Sequence, residues 1–460
     1  MKLACAVAAL ALPLAVVNGQ TPSPVAIKDA HIFTVSGAEL PKGTVVLRDG
    51  LIEDVGANVT IPADAWIIDG TGLTVCPGFI DGLSTWGIPG AAPVAGGGRP
   101  AGAPGATPAA APAQTTPAPR SNGPEDRPQT HTYERAADLV SPSDHRLEAA
   151  RAAGFTSAVT FPNQGIFEGL GAIINLAGER GRDMVIMQPI GQQVVIRPGR
   201  LSSGFPNSLM GNIAYIRQMY LDLDQYKRAR EIYDAHPGGN RRPEYDHYLQ
   251  ALSESPRLLL PAVEEQQIDR MLAFGAELKT PFVLYGLHEG FTRVDQLKQA
   301  NVPVLVSLKW PEKPKESDPA DIPNYRELVL RQRAPSVPGM LSKAQVRFAL
   351  YSDGIDTAPE LRKAVKKAID AGLGPADAVR ALTLSVAEIY GVSDRMGSID
   401  KGKIANLVVM RGDPFEDKTT VEYVFIDGQE MKPSKELQKE HPPGAAGAPH
   451  PSENLEGGQN

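Results

Sequence analysis

The sequence predicts an α/β protein: a (β/α)8 TIM-like barrel with a small β-sandwich domain formed from both chain ends. Three observations predict it. Strand-like segments punctuated by Gly and Asp turns lie near both ends of the chain. Between them, strand-like and helix-like runs alternate. The length, 460 residues, suffices for one large domain and a small companion.

The β-rich pieces come first. VAIKDAHIFTV, GTVVLRDGLIEDVG and AWIIDGTG alternate apolar and polar residues, and place the first part of the small domain at 20–74. The same texture returns in ANLVVMRGDPF and VEYVFIDGQEM, which place its second part at 401–434. The barrel is assigned to 75–400, with Val75 to Thr85, VCPGFIDGLST, as its first strand. Further on, RLEAARAAG precedes FTSAVTF, IDRMLAFGAEL precedes PFVLYG, and FTRVDQLKQAN precedes VPVLVSLKWP. RFALYSDG then leads to LRKAVKKAIDAG and PADAVRALTLSVAEIYGV. Repeats of this length imply parallel strands with crossover helices. The count is poor between 185 and 260. Functional groups of such barrels sit at the C-terminal ends of the strands.

Two segments interrupt this pattern. Residues 87–128 are dominated by Gly, Ala and Pro, a composition too poor in apolar side chains to offset ordering entropy, and read as a disordered insert. The tail 435–460 reads the same way. At the start, Met1-Lys2, the run LACAVAALALPLAVV and Asn18-Gly19-Gln20 describe a signal peptide over 1–19. The run is short for a membrane anchor, the alternative reading. Export to the periplasm or the medium is the expectation. Cleavage near Gly19 leaves Cys76 as the single cysteine, so an internal disulfide is excluded.

Composition bounds the partners. A net charge of −7, with no dense Lys/Arg block, argues against a nucleic-acid surface. No later stretch is apolar and long enough for a stable membrane span. A small-molecule ligand is the expected partner.

Four stretches, taken in order, resemble the amidohydrolase superfamily and its imidazolonepropionase-related branch. They are PGFID at 77–81, YSDG at 351–354, the helix pair ending in ALTLSVAEIYGV, and RMGSIDKGKIANLVVMRGDPF at 395–415. The resemblance covers about residues 25–430. It implies a hydrolase of carbon–nitrogen, non-peptide bonds. It also implies zinc or another divalent metal held by an Asp-x-His-x-His motif on strand one, by histidines ending strands five and six, and in many members by a carboxylated lysine. An Asp ending strand eight is the base. The metal would lower the pKa of its bound water from 15.7 to roughly 7.

The residues depart from that pattern. Leu83 and Thr85 stand where the strand-one histidines belong. Leucine has no lone pair, and a threonine hydroxyl is a weak zinc ligand. The histidines are His31, His131, His145, His236, His247, His288, His441 and His450, and none form a His-x-His pair. The metal site is therefore expected to be degenerate, with no metal ligand assigned and no cofactor named beyond the family's zinc. Around Pro261 to Glu264 no histidine appears; Glu264 and Glu265 read as substitute oxygen ligands or, preferably, as a solvated start of the next helix.

The candidate catalytic residues are Asp353 and His288. Asp353 ends a strand and matches the family's base, although Asp-Gly is also a common turn. His288 follows a strand and reads as a ligand, base or substrate hydrogen-bonder, or as a packed loop histidine. Trp86, Glu289 and Lys309 are the candidate substrate-binding residues. Trp86 either stacks on a ligand or packs. Glu289 pairs with His288 or begins a helix. Lys309 receives an anionic group or is solvated. GLGAIINLAG at 169–178 lacks a phosphate-loop pattern and reads as tight strand packing. Two functional classes follow: an exported hydrolase with altered or absent metal, and a non-catalytic relative that binds ligand or assembles with itself or with an active amidohydrolase.

Overall fold

The computed structural model of the chain describes residues 23–91, 123–196, 205–313, 323–355, 357–416 and 418–432. The expected signal peptide, the tail 435–460 and residues 92–122 of the expected insert lie outside them. The flanks of that insert are ordered. Residues 124–126 form a helical turn, and Arg127 reaches Asp222 at 2.6 Å and Asp246 at 3.5 Å. The low-complexity composition therefore overstates the insert at its C-terminal end, where two acids on later elements anchor an arginine.

The chain opens with five strands: β1 (Val25–Ile32), β2 (Leu40–Arg48), β3 (Leu51–Gly56), β4 (Trp66–Asp69) and β5 (Leu73–Pro77). Ten more fill the middle: β6 (Phe79–Ser84), β7 (Phe155–Thr160), β8 (Phe167–Leu170), β9 (Ala172–Asn175), β10 (Val185–Met187), β11 (Gln192–Val194), β12 (Leu258–Ala262), β13 (Phe282–Gly286), β14 (Val304–Ser307) and β15 (Phe348–Tyr351). The last are β16 (Leu407–Arg411), β17 (Thr420–Ile426) and β18 (Gln429–Glu430).

Both chain ends meet in one mixed sheet, ordered β18-β17-β16-β5-β1-β2-β3, with β4 paired to β1. Ile27, Ile32, Val45, Leu47, Val75, Leu407, Val409 and Phe425 fill its core. The ladders join all eight strands in a single sheet, where a sandwich of two sheets was expected. The domain boundary shifts as well. Val75 to Pro77 belong to β5, which pairs with β16 from Leu73↔Arg411 to Pro77↔Leu407. The first barrel-type strand begins only at Phe79. Gly78 makes the break: its N–H donates to the Asn406 carbonyl at 2.8 Å, and a Cβ there would lie 2.1 Å from the Thr156 hydroxyl. Only glycine fits so close an approach.

The middle strands alternate with helices. β11 to β15 run parallel, as do β6 and β7. Their inward side chains, Ile80, Val159, Ile173, Leu259, Val283, Tyr285, Leu305, Ala349 and Tyr351, form one cluster with Val386, Ala387 and Tyr390. Their outward side chains, among them Phe79, Leu258, Leu284, Val306 and Leu350, pack under the helices. Burial on both faces explains continuous apolar runs such as LLLPA.

The strict (β/α)8 repeat fails at one position. β9 runs antiparallel to β7, and β8 antiparallel to β11. Only six residues, 161–166, link β7 to β8, whereas a parallel crossover needs about a dozen or more. The chain must therefore turn straight back. The strands lie in two open sheets, β10-β9-β7-β6 and β15-β14-β13-β12-β11-β8, and these ladders do not close a barrel.

The sheets abut at two seams. At one, Gly171 separates β8 from β9 and exchanges main-chain bonds with the 190–191 segment, Gly171 N to Gly191 O at 3.0 Å and Ile190 N to Gly171 O at 3.1 Å. At the other, between β6 and β15, a side chain replaces the ladder. Asp81 Oδ1 accepts from the Ser352 N–H at 2.9 Å and from the Leu83 N–H at 3.4 Å, and Oδ2 accepts from the Ser352 hydroxyl. Tyr390 donates to the Gly82 carbonyl beside it at 2.8 Å.

Asp81 is fully buried. Burial pushes its pKa up to about 7, with the Ser352 and Leu83 bonds opposing the rise. The folded state thus holds the proton more tightly than the unfolded chain, whose value is near 3.8. Stability from this group is full below that value and is lost as pH rises through about 7. Asp81→Asn is expected to flatten the pH dependence of the urea midpoint across this interval. An unchanged slope in the variant would contradict the assignment.

Candidate functional site at the strand ends

The C-terminal ends of β13, β14 and β15 bring three sequence-distant residues together. Ser307 ends β14. Its hydroxyl donates to Asp353 Oδ2 at 2.7 Å and accepts from the Lys309 N–H at 3.1 Å. Asp353 follows β15 and is 2 % exposed. Its φ of 51° and that of Gly354, 80°, make the turn suggested by Asp-Gly. The turn aims the carboxylate back at Ser307, so turn and site are one feature. His288 follows β13, and its ring bonds to the Ser307 main chain. Burial pushes its pKa down to about 4, opposed by that bond. The imidazole is neutral at pH 7, and its buried Nε2 has no hydrogen-bond partner among the described residues. Asp353 and His288 therefore stand at the same end of the strands, joined through Ser307.

The floor beneath them is aromatic. Tyr285 reaches across from β13 and donates to the Val194 carbonyl on β11 at 2.9 Å. Tyr351 lies beside Ser307, Asp353 and Tyr285, and burial raises its pKa well above the usual phenol range.

The other candidates sit elsewhere. Trp86 is 2 % exposed and edge-on to Phe155, with centroids 5.3 Å apart. Its ring packs in the outer core, the alternative to stacking on a ligand. Glu289 is engaged away from His288. It accepts from the Glu265 N–H at 2.8 Å and pairs with Arg326 at 3.0 Å. An acid is favourable at that helix N-terminus. Glu264 and Gln267 form a capping box on the same helix, Glu265–Glu277, and Glu265 pairs with Arg293. Lys309 is exposed. The GLGAIINLAG segment supplies β8 and β9.

The strand-one ligand positions have other occupations. Leu83 is fully buried in the inner cluster. Thr85 Oγ1 accepts from Arg146 Nη1 at 2.9 Å. Arg146 Nη2 also donates to the carbonyls of Thr85 and Ile88, both at 2.8 Å, and to Asp144 Oδ2 at 2.7 Å. Asp144 Oδ2 in turn accepts from the Gly87 N–H at 2.9 Å. A buried guanidinium thus clamps the loop after β6. This clamp was missed in the sequence, because no local pattern links Thr85 to an arginine 61 positions away.

The donor chemistry does not fit the metal. Position 83 offers no lone pair, Thr85 is held by a cation, and Ala262 ends β12 with Val263 just after it. Among the described residues, no group of three or more His, Cys, Asp or Glu side chains could hold a metal ion.

Residues 264–431, which carry His288, Ser307 and Asp353, match the amidohydrolase family. The amidohydrolase of Thermotoga maritima MSB8 superposes with a TM-score of 0.68 at 24% identity, covering 89% of this chain and 100% of that one. The fold is thus shared with an amidohydrolase, whose architecture implies a TIM barrel with an additional domain. A stretch of 90 residues is 32% identical to adenine deaminase of Moorella thermoacetica. That match spans 18% of this chain and 14% of the length of that relative.

Arg146 is mostly buried against a fully buried Asp144. Removing one partner of such a pair leaves an uncompensated buried charge and costs about 3–5 kcal/mol. Arg146→Met is expected to lower unfolding free energy by about 3 kcal/mol in denaturant titration. A loss within about 0.5 kcal/mol would show that the clamp is not structural.

Proposed function

We propose that this chain is an exported amidohydrolase of the imidazolonepropionase-related branch, of the class acting on non-peptide carbon–nitrogen bonds, with its inherited metal site dismantled. One observation carries the reading: Asp353 and His288 converge on Ser307 at the strand ends, within the segment that matches the family, while Thr85 is committed to Arg146. The local match to an adenine deaminase favours carbon–nitrogen chemistry.

In this reading a small molecule enters over β13 to β15. Asp353 accepts a proton from a water whose oxygen bonds to the substrate carbon, and returns that proton to the leaving nitrogen as the carbon–nitrogen bond breaks. Neutral His288, whose Nε2 lone pair is available, assists as a second acceptor or orients the substrate. Ser307 fixes the Asp353 carboxylate through Oδ2. General acid–base catalysis of this kind contributes about 10²–10⁴-fold. Without a metal to stabilise transition-state charge, turnover is slow.

A second reading, a non-catalytic binding or assembly protein, is favoured by the internal bonds that occupy Thr85 and Asp353 Oδ2. The two separate in a paired measurement. Turnover of amide and amidine panels, with metal-chelating resin present throughout, is expected to fall about 10²-fold or more in Asp353→Asn and in His288→Ala. If wild type binds panel members without turnover, and both variants lose that binding, the non-catalytic reading stands. If binding and turnover are unchanged in both variants, the strand-end site is refuted.

A further inference from the structure

A groove on the surface takes no part in the chemistry above. It runs between the long helix Leu209–Ala235 and the segment 243–249, which leads into the helix His247–Glu254, and encloses about 740 Å³. One wall is a single stripe of the long helix, in which Asp222, Gln225, Tyr226 and Ala229 follow Gln218 at helical spacing. The other wall presents Tyr245 and Tyr248. Tyr245 is 74 % exposed. The other two rings are held by neighbours: Arg230 lies 5.7 Å from the Tyr226 centroid, and Tyr133 stands edge-on to Tyr248 at 5.4 Å. Rings already held in place lose little freedom when a ligand covers them.

The groove is acidic. Glu125, Asp222, Glu244 and Asp246 line it, and among its described lining residues Arg127 is the one arginine or lysine. Arg127 is already committed, to Asp222 at 2.6 Å and to Asp246 at 3.5 Å. Glu244 stands 88 % exposed at the rim, where its pair with Arg241 is a weak surface contact. Tyrosine rings beside carboxylates suit one chemistry in particular: a proline-rich segment that carries a cation. Such segments dock in aromatic-lined grooves. Charge complementarity then fixes the place of the cation.

The chain carries such a segment next to the groove's edge. Pro124 and Glu125 are lining residues, and residues 107–122 just before them read TPAAAPAQTTPAPRSN. Arg120 is the single charged residue of that stretch. It lies four positions before Pro124, so the backbone holds it within about 14 Å of the groove. From Gln218 to Ala229 the helix stripe spans about 16 Å, the length of about five residues of extended proline-rich chain. Thr116 to Arg120, TPAPR, matches that length.

We propose that the groove is an intramolecular docking surface for the chain's own TPAPR segment, with Pro117 and Pro119 against the tyrosines and Arg120 between Glu125 and Glu244. Tethering supplies an effective concentration in the millimolar range. That suits an open groove with a weak grip, and it favours this occupant over a free peptide. The other end of the 92–122 stretch leaves from Ala91, whose carbonyl accepts from Arg146 at 3.2 Å. Docking would therefore fasten the stretch at both ends. The inference goes beyond the strand-end reading, and no groove residue belongs to that site.

The test is photocrosslinking in the full chain, with p-benzoylphenylalanine in place of Ala118. Crosslinks within one chain, mapped by mass spectrometry to 218–229 and 243–249, are expected. Tyr245→Ala and Arg120→Glu are each expected to reduce them about fivefold or more. Tyr245→Ala removes an exposed ring and is expected to leave the melting temperature unchanged. Arg120→Glu decides the matter should Tyr245→Ala disturb folding. Tethering alone would crosslink wild type and both variants equally, and that result overturns the proposal. Crosslinks scattered over other surfaces, or none, overturn it as well. Crosslinks that join two chains overturn the intramolecular assignment and give the groove to a second copy. The strand-end site stands or falls separately, on Asp353→Asn and His288→Ala.

Discussion

The bond between Asp81 and Ser352 is the constraint on which the rest depends. The two open sheets meet at β6 and β15 without a ladder, and this carboxylate supplies acceptors for main-chain and side-chain donors there. Because Ser352 immediately precedes Asp353, the bond that holds the seam also sets the turn that presents Asp353 to Ser307. Tyr390 pins the same strand from below through the Gly82 carbonyl. Scaffold and candidate site are thus mechanically one unit. A buried carboxyl with raised proton affinity sits at their junction, where hydrogen bonds from Ser352 and Leu83 offset only part of the cost of its charge.

The second determinant is the Arg146 clamp. In this chain the Arg146 guanidinium stands among six oxygen acceptors from Thr85, Ile88, Ala91 and Asp144, and with Asp144 holds the loop after β6. Arginine suits the task because its planar fork satisfies several acceptors at once and it stays charged when buried. The substitutions at Leu83 and Thr85 therefore form a coherent set with Arg146. Leu83 joins the apolar interior, and Thr85 is an acceptor for the clamp.

Legibility in the sequence followed the range of the interactions. The split β-domain was readable because alternation and Gly-Asp turns are local. The parallel strands β12 to β15 were readable because each is a short apolar run followed or preceded by an amphipathic helix. The antiparallel return at β8 and β9 was not foreseen, although the six-residue link from β7 contained the reason. The β5–β6 break was hidden because VCPGFIDGLST reads as one continuous strand and gives no sign that Gly78 lies against Thr156. At the site, Asp353 and His288 were visible from their places after strands. Ser307, Tyr351 and Arg146 were not, since each acquires meaning only from partners brought near by the fold. Trp86 and Glu289 had plausible chemistry and plausible positions, and core packing and helix capping claimed them.

The proposed function turns on one point: a fold shared with an amidohydrolase is kept, and the positions proposed to have held a metal are committed to internal bonds. Elemental analysis of protein produced in zinc-supplemented medium, and purified without chelators, tests it most directly. The account predicts zinc, manganese and iron each well below one equivalent per chain, unchanged in Asp353→Asn. A full equivalent of any of them, retained through gel filtration and lost in Asp353→Asn, would contradict it.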